Sequence, residues 1–426
     1  MELAASDVFV PGAYPQHSYV ERSGNGLEQM LEDALSVQGQ VISLSGPSKS
    51  GKTVLVERVV GRDQLITISG ATLRRAEEVW DRALDWMDLP NRTARSEGTT
   101  TSIGGGASVK GGVSVPLIAK GEMEGTISAE TAKSTGGESV RERRGLQQVI
   151  DEIGNSAFVV LLDDFHYMPR EIQVEVAKSL KEAVRLGVKI VTASVSHRGD
   201  DIVRANPELR GRVRAIDLKY WNETELRRIA DAGLKVLNAS INSEAVSQFV
   251  RESAGSPQLM QLICLQACFK LGLRQKLDSF VPQVLAVNAA EVSAIMAQAS
   301  LNTDFRSLVD VLDQGPRTRG TERKTYRFKD GTEGDVYRVA LKALADDPPR
   351  LSFPYEELLK RTVRICDGDP PVGSSVTGTC LHMSKLALEK FPSERAIDWD
   401  EQKQVFDIPD PYLLFYLRWS DRLRQS

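Results

Sequence analysis

Lys52 and Thr53 close the run Gly46-Pro47-Ser48-Lys49-Ser50-Gly51-Lys52-Thr53, in which two glycines bracket four residues and a lysine and a hydroxyl follow. The glycines let the backbone curl until successive N–H groups point inward at a polyphosphate. Lys52 supplies a charge for the outer phosphates, and the Thr53 hydroxyl is a ligand for Mg²⁺. The flanks suit the chemistry: an apolar, strand-like run over 41–44 leads in, and Val54 opens a stretch with helical periodicity. A helix starting there adds its positive end to the phosphate cradle. A second cluster, Asp163-Asp164, ends the apolar run Phe158-Val-Val-Leu-Leu. Asp163 is placed to organise Mg²⁺ and its waters, and Asp164 to polarise an attacking water. A third is the polar end Thr192-Ala-Ser194-Val-Ser196, where Ser194 or Ser196 would reach the terminal phosphate or the water; the sequence does not choose between them. The fourth is the arginine group Arg204, Arg210, Arg212 and Arg214. An arginine projecting from a subunit edge can stabilise charge on a neighbour's phosphate, and Arg212, then Arg210, is the first choice.

These clusters need elements to hold them. Short apolar runs at 41–44, 65–68, 158–163 and 189–194 alternate with helical stretches at 73–86, 138–153 and 170–186. That alternation predicts a parallel α/β sheet, with the Asp163 strand beside the phosphate-loop strand. Leu27, Met30, Leu31 and Leu35 mark a preceding amphipathic helix. From 223 to about 300 the signals are purely helical. From 330 onward three helices, a two-stranded wing (396–399 and 404–408) and a last helix over 411–424 are expected. The boundaries are 1–220 for the phosphate-loop core, 221–304 for a helical lid and 305–426 for a C-terminal winged helix.

Bulk properties limit the partners. The 426 residues carry 54 Lys and Arg against 58 Asp and Glu, a net charge of −4, which excludes a chain basic throughout. Locally, Arg317, Arg319, Arg323, Lys324, Arg327 and Lys329, with Tyr326 and Phe328 interleaved, could contact phosphates. The helix over 374–391 carries Lys385 and Lys390 but also Glu389, a weakly basic face for reading DNA. The four cysteines have no disulfide or zinc spacing, and Cys264 and Cys268 lie four apart in an apolar helical stretch, as core residues would. With no signal peptide and no apolar run of membrane-helix length, a cytoplasmic location is expected.

Residues 92–137 differ in character, rich in Gly, Ser and Thr. Over 103–129 every odd position is apolar or glycine, the period of a strand. A loop at Pro116-Leu-Ile118 pairs Val113 with Gly121, Gly111 with Met123, Val109 with Gly125 and Lys110 with Glu124, which predicts a β-hairpin insert. Its apolar face needs a partner: its own domain or a neighbour, a ring channel holding DNA or protein, or, in a many-subunit barrel, a membrane.

Taken in order, the loop at 46–53, the acidic strand end, the polar strand end at 194–196, Leu209-Arg-Gly-Arg-Val213 and the helical segment containing Gly255-Ser-Pro257 resemble an AAA+ ATPase. The likeness is to the initiator (origin-recognition-like) and STAND branches, over roughly residues 8–300. It implies bound ATP with Mg²⁺, a lid, a winged helix, a homo-oligomeric ring or filament, and an effector protein as partner. Tyr19 and Arg22 are similar to the family's leader beside the adenine, and Pro257 to its lid contact. Two departures stand out. The family usually has Glu where Asp164 stands, one methylene longer, which implies slow hydrolysis. It commonly has Arg after the lid glycine, where this chain has Gln258 and Leu259. The resemblance leaves three roles: an ATP-assembled switch acting on an effector, for instance in bacterial defence; a DNA-binding initiator or loader; and an oligomer whose hairpins form a membrane pore.

Overall fold

The computed structural model describes residues 3–22, 26–89, 145–195, 201–278, 281–317, 323–392 and 396–423. The hairpin insert and Ser196 lie outside the described residues.

After the short helix α1 (Ala5–Val8) and α2 (Leu27–Ser36), the core runs β1 (Val41–Ser45), α3 (Lys52–Val60), β2 (Leu65–Ser69), α4 (Glu78–Trp86), α5 (Leu146–Ile153), β3 (Val159–Asp163), α6 (Arg170–Arg185), β4 (Lys189–Ser194), α7 (Asp201–Ala205) and β5 (Val213–Asp217). The five strands form one parallel sheet in the order β2-β3-β4-β1-β5. The parallel α/β sheet is as expected. Its order is not: β4, not β3, is the phosphate-loop strand's neighbour, with Ser45 opposite Ser194. The apolar runs of β1, β3 and β4 are buried on both faces. Such runs fit any central position, so pattern alone cannot rank them. Leu27, Leu31, Ile42, Leu55, Leu161 and Val191 pack one face, and Ile66, Trp80, Val160, Val176, Leu180 and Ile190 the other. The helix expected over 73–86 is shorter: a 3₁₀ turn covers Gly70–Thr72 and the α-helix begins at Glu78.

Beyond the core come α8 (Glu223–Val236), β6 (Ala239–Ile241), α9 (Ser243–Glu252), α10 (Pro257–Lys270), β7 (Gln283–Leu285) and α11 (Ala289–Ser300). The purely helical expectation misses β6 and β7, a parallel pair of three residues each, too short to show a period. Cys264 and Cys268 are buried in this unit's core, where burial raises both thiol pKa values, that of Cys268 to about 12.

The C-terminal segment comprises α12 (Arg306–Gln314), β8 (Tyr326–Arg327), β9 (Glu333–Gly334), α13 (Val336–Ala345), β10 (Ser352–Pro354), α14 (Tyr355–Ile365), α15 (Gly373–Lys390), β11 (Asp398–Asp400), β12 (Val405–Asp407) and α16 (Pro411–Trp419). Its antiparallel sheet runs β10-β12-β11. The last helix stops at Trp419, short of the expected 424, and a 3₁₀ turn follows at Asp421–Leu423. Two of the basic residues in the stretch 317–329 are paired within the fold. Arg323 pairs with Asp335 and also donates to the Gln314 carbonyl, and Arg327 pairs with Glu333. No described helix is long and apolar enough to cross a membrane.

Helix α16 joins the last two units. Residues 411–417 are all buried, as a helix apolar all round must be. Tyr412 and Phe415 enter the core built by α8–α11, while Leu413, Leu414, Tyr416 and Leu417 enter the C-terminal core. Next to them Arg418 donates to both oxygens of Glu252 at 2.8 Å, and Trp419 Nε1 donates to the same carboxylate at 2.7 Å. The Glu252 side chain is 1% exposed. Arg418 also pairs with Asp347 at 2.6 Å, so removing Glu252 leaves the guanidinium one partner and chiefly strands buried donors, a loss of about 1–3 kcal/mol. Glu252→Ala is therefore expected to lower the unfolding free energy read from urea titration by that amount. A loss under about 1 kcal/mol would mean the pair is solvated.

Candidate functional site

The sheet's geometry brings the chemical residues together. Parallel strands present all their carboxyl ends on one edge, so the loop after β1, the acidic end of β3 and the end of β4 share it. Gly46 is packed so tightly that a Cβ there would lie 2.7 Å from the Leu218 carbonyl oxygen and 2.8 Å from its Cβ. Gly51, with φ 93° and ψ 24°, is left-handed and sits at the N-cap of α3. The loop thus turns straight into a helix start whose first N–H groups lack intrahelical partners. Ser50 Oγ is buried with no hydrogen-bond partner among the described residues, an orphan polar atom inside the cradle.

Lys52 Nζ donates to the carbonyls of Gly46 at 3.0 Å and Pro47 at 2.8 Å, lying back across the loop. Burial lowers its pKa, while the Asp163 and Asp164 carboxylates oppose the shift. Thr53 Oγ1 donates to Asp163 Oδ2 at 2.6 Å across 110 residues of sequence. The carboxylate and the hydroxyl are within one ion's coordination distance. Two hard oxygens, leaving the other positions to phosphate and water, suit Mg²⁺. Asp164 stands at φ 56°, left-handed, with its N–H on Asp163 Oδ1 at 2.9 Å. Burial, then the neighbouring Asp163 charge, raises the Asp164 pKa, with Lys52 opposing.

These groups open into a cavity of about 690 Å³. Ser48 to Val54, Asp163 and Asp164 line it. Tyr19, Arg22, Trp221, Pro257 and Gln258 also line it, as do Leu388, Ile397 and Asp410 of the C-terminal segment. Tyr19 and Pro257 both lie on its wall. Arg22 also borders it, but its donors are committed elsewhere: to Glu225 at 3.2 and 3.3 Å and to the carbonyls of Lys219 and Tyr220. It is a strut pinning the leader to the start of α8, not a free contact for a base. Tyr19 donates to Glu28 at 2.7 Å.

Ser194 ends β4, between the two nucleotide motifs, and is 4% exposed. The following residue, Val195, lines the cavity and Ser194 does not. Arg210 and Arg212 are exposed at the opposite edge of the sheet, where the Arg212 carbonyl accepts from Val41 N at 2.8 Å. The length of β5, about 13 Å at ~3.3 Å per residue, separates them from the loop end, so neither serves its own chain's site.

Three residues were missed in the sequence. Trp221 donates its indole N–H to the Ser50 carbonyl at 3.0 Å; His166, its ring tilted 38° against that of Tyr167, lines the cavity; and Asp410 binds Lys49. Only His166 carried a signal, two residues past the acidic pair.

A phosphate loop between β1 and α3, an acidic pair two strands away and a parallel sheet to hold them decide the architecture. The core is a P-loop NTPase fold. No family model matches the chain, and no curated protein matches it significantly. Among solved structures it is similar to Cdc6p from Pyrobaculum aerophilum (11% identity, 98% of this chain and 97% of that chain, TM-score 0.45). A Walker-type ATPase of Pyrococcus abyssi matches at 14% identity over 94% and 96%, TM-score 0.45. The ORC2 protein of Aeropyrum pernix, in ADPNP–ADP complexes, matches at 12% over 98% of each chain, TM-score 0.43. Likenesses this distant decide nothing about activity, and the functional reading rests on the site's own residues.

Proposed function

We propose that the chain is a Mg²⁺-dependent ATPase of AAA+/STAND-like character whose site is completed by a neighbouring copy and whose ATP-bound assembly acts on a partner protein. The convergence of Lys52, Thr53, Asp163 and Asp164 at one strand edge carries this reading. Thr53 and Asp163 would hold the metal, which when bound would offset charge on the phosphates. Lys52 swings from its two carbonyls onto the outer phosphates. Asp164 accepts the proton of a water that attacks the terminal phosphorus; the bond to the bridging oxygen breaks, leaving ADP and phosphate. A raised Asp164 pKa suits a general base better than an ordinary carboxylate would.

Arg212 is consistent with a shared site: it is exposed, and the length of β5 lies between it and its own loop. Arg212→Ala is expected to bind ATP normally and turn over about a thousandfold more slowly, as loss of such an arginine does. Mixing it with Lys52→Ala should restore part of the activity, since each chain supplies what the other lacks. If the two co-assemble and no turnover returns, the site is not shared.

Effector control is preferred to DNA reading for a specific reason. The α13-β10-α14-α15-β11-β12 order and its three-stranded sheet fit a winged helix, in which α15 would read DNA. Here Ser384 and Leu388 of α15 border the nucleotide cavity, and Arg323 and Arg327 of the nearby basic stretch are paired with Asp335 and Glu333. Salt-dependent DNA binding that survives in the ATP state would favour the initiator role.

A further inference from the structure

We infer that Asp410, 361 residues downstream of its partner, is a positioning residue of the phosphate loop, holding Lys49 in the backbone conformation that gives the loop its curl. The inference rests on the nucleotide reading of that loop. Lys49 has φ 59°, the left-handed region that glycine adopts freely and an L side chain does not. Something must over-determine it.

The Lys49 side chain leaves the loop toward α16. Its ammonium lies 2.8 Å and 2.7 Å from the two Asp410 carboxylate oxygens and 4.0 Å from the centre of the Tyr412 ring. Neither anchor is a loose surface group. Asp410 caps α16, accepting from Tyr412 N at 2.9 Å, and Tyr412 is 8% exposed with its ring in the core of α8–α11. Trp221 holds the next carbonyl, that of Ser50. The crown of the loop is therefore held from outside the sheet, by the residues that follow β5 and by the C-terminal helix.

The rival role for a carboxylate here is to repel phosphate. Both Asp410 oxygens face Lys49, and the pair is neutral as a unit, so its effect on an incoming polyphosphate is through loop shape.

The test is equilibrium binding of a non-hydrolysable ATP analogue with Mg²⁺ to the full chain. The proteins are wild type, Asp410→Asn, Lys49→Gly and the double variant. Asparagine caps a helix as well as aspartate does, so Asp410→Asn removes the ion pair and leaves α16 anchored. It is expected to weaken binding about tenfold, because the loop then spends most of its time away from the left-handed form. In the Lys49→Gly background, whatever its own affinity, the same change should matter less than about twofold, because glycine needs no clamp. A purely structural Asp410 would give the same loss in both backgrounds, and a repelling one would bind more tightly on substitution; either result overturns the inference. If wild type binds and Asp410→Asn binds equally, the inference alone fails. If wild type does not bind, the nucleotide reading fails with it.

Discussion

Replacing Lys52 with alanine is expected to weaken Mg–ATP binding by a hundredfold or more while leaving the fold intact. The ammonium would make two charge-assisted hydrogen bonds to phosphate, each about 1.5–3 kcal/mol. Their joint loss is ~3–6 kcal/mol, between two and four decades of affinity. In the structure Lys52 bonds only loop carbonyls, those of Gly46 and Pro47, so no core contact is lost. Titration calorimetry reads the affinity, and an unchanged unfolding midpoint shows the fold is kept. Equal affinity in the variant would remove the loop from the site.

Asp164→Asn should separate binding from chemistry. Asparagine tolerates the left-handed backbone that Asp164 adopts, so the end of β3 keeps its shape. The base is gone, and turnover should fall about 10²–10⁴-fold with nucleotide affinity little changed. ATP-dependent assemblies of the variant should then outlast those of wild type. The pH dependence follows from the same residue. Its pKa is raised by burial and by Asp163, and only the ionised form accepts a proton. Wild-type turnover should therefore decline on acidification sooner than an ordinary aspartate would dictate, and recover as pH rises through the raised value. A variant with wild-type turnover would assign the water to another group.

The site's chemistry was legible because it is local. Gly46, Gly51, Lys52 and Thr53 lie within eight residues, and the strand and helix that present them are the flanking runs. The acidic pair was legible for the same reason. Strand order was not. β1, β3 and β4 are interchangeable apolar runs, and what separates them is the path of the crossovers. Arg22 shows a second limit: the resemblance implies a place beside the base for it, but Glu225, 203 residues away, takes its guanidinium. The Lys49–Asp410 pair spans a still longer interval and carries no periodic or motif signal at either end. β6 and β7 were lost because three residues cannot display a period of two.

The most direct measurement is a structure of the protein with Mg²⁺ and a non-hydrolysable ATP analogue. The account predicts the triphosphate seated on residues 46–53, Lys52 Nζ moved from the Gly46 and Pro47 carbonyls onto its oxygens, and the metal between Thr53 and Asp163. A nucleotide bound elsewhere, with Lys52 still on those carbonyls and the Thr53–Asp163 hydrogen bond unbroken, would contradict it.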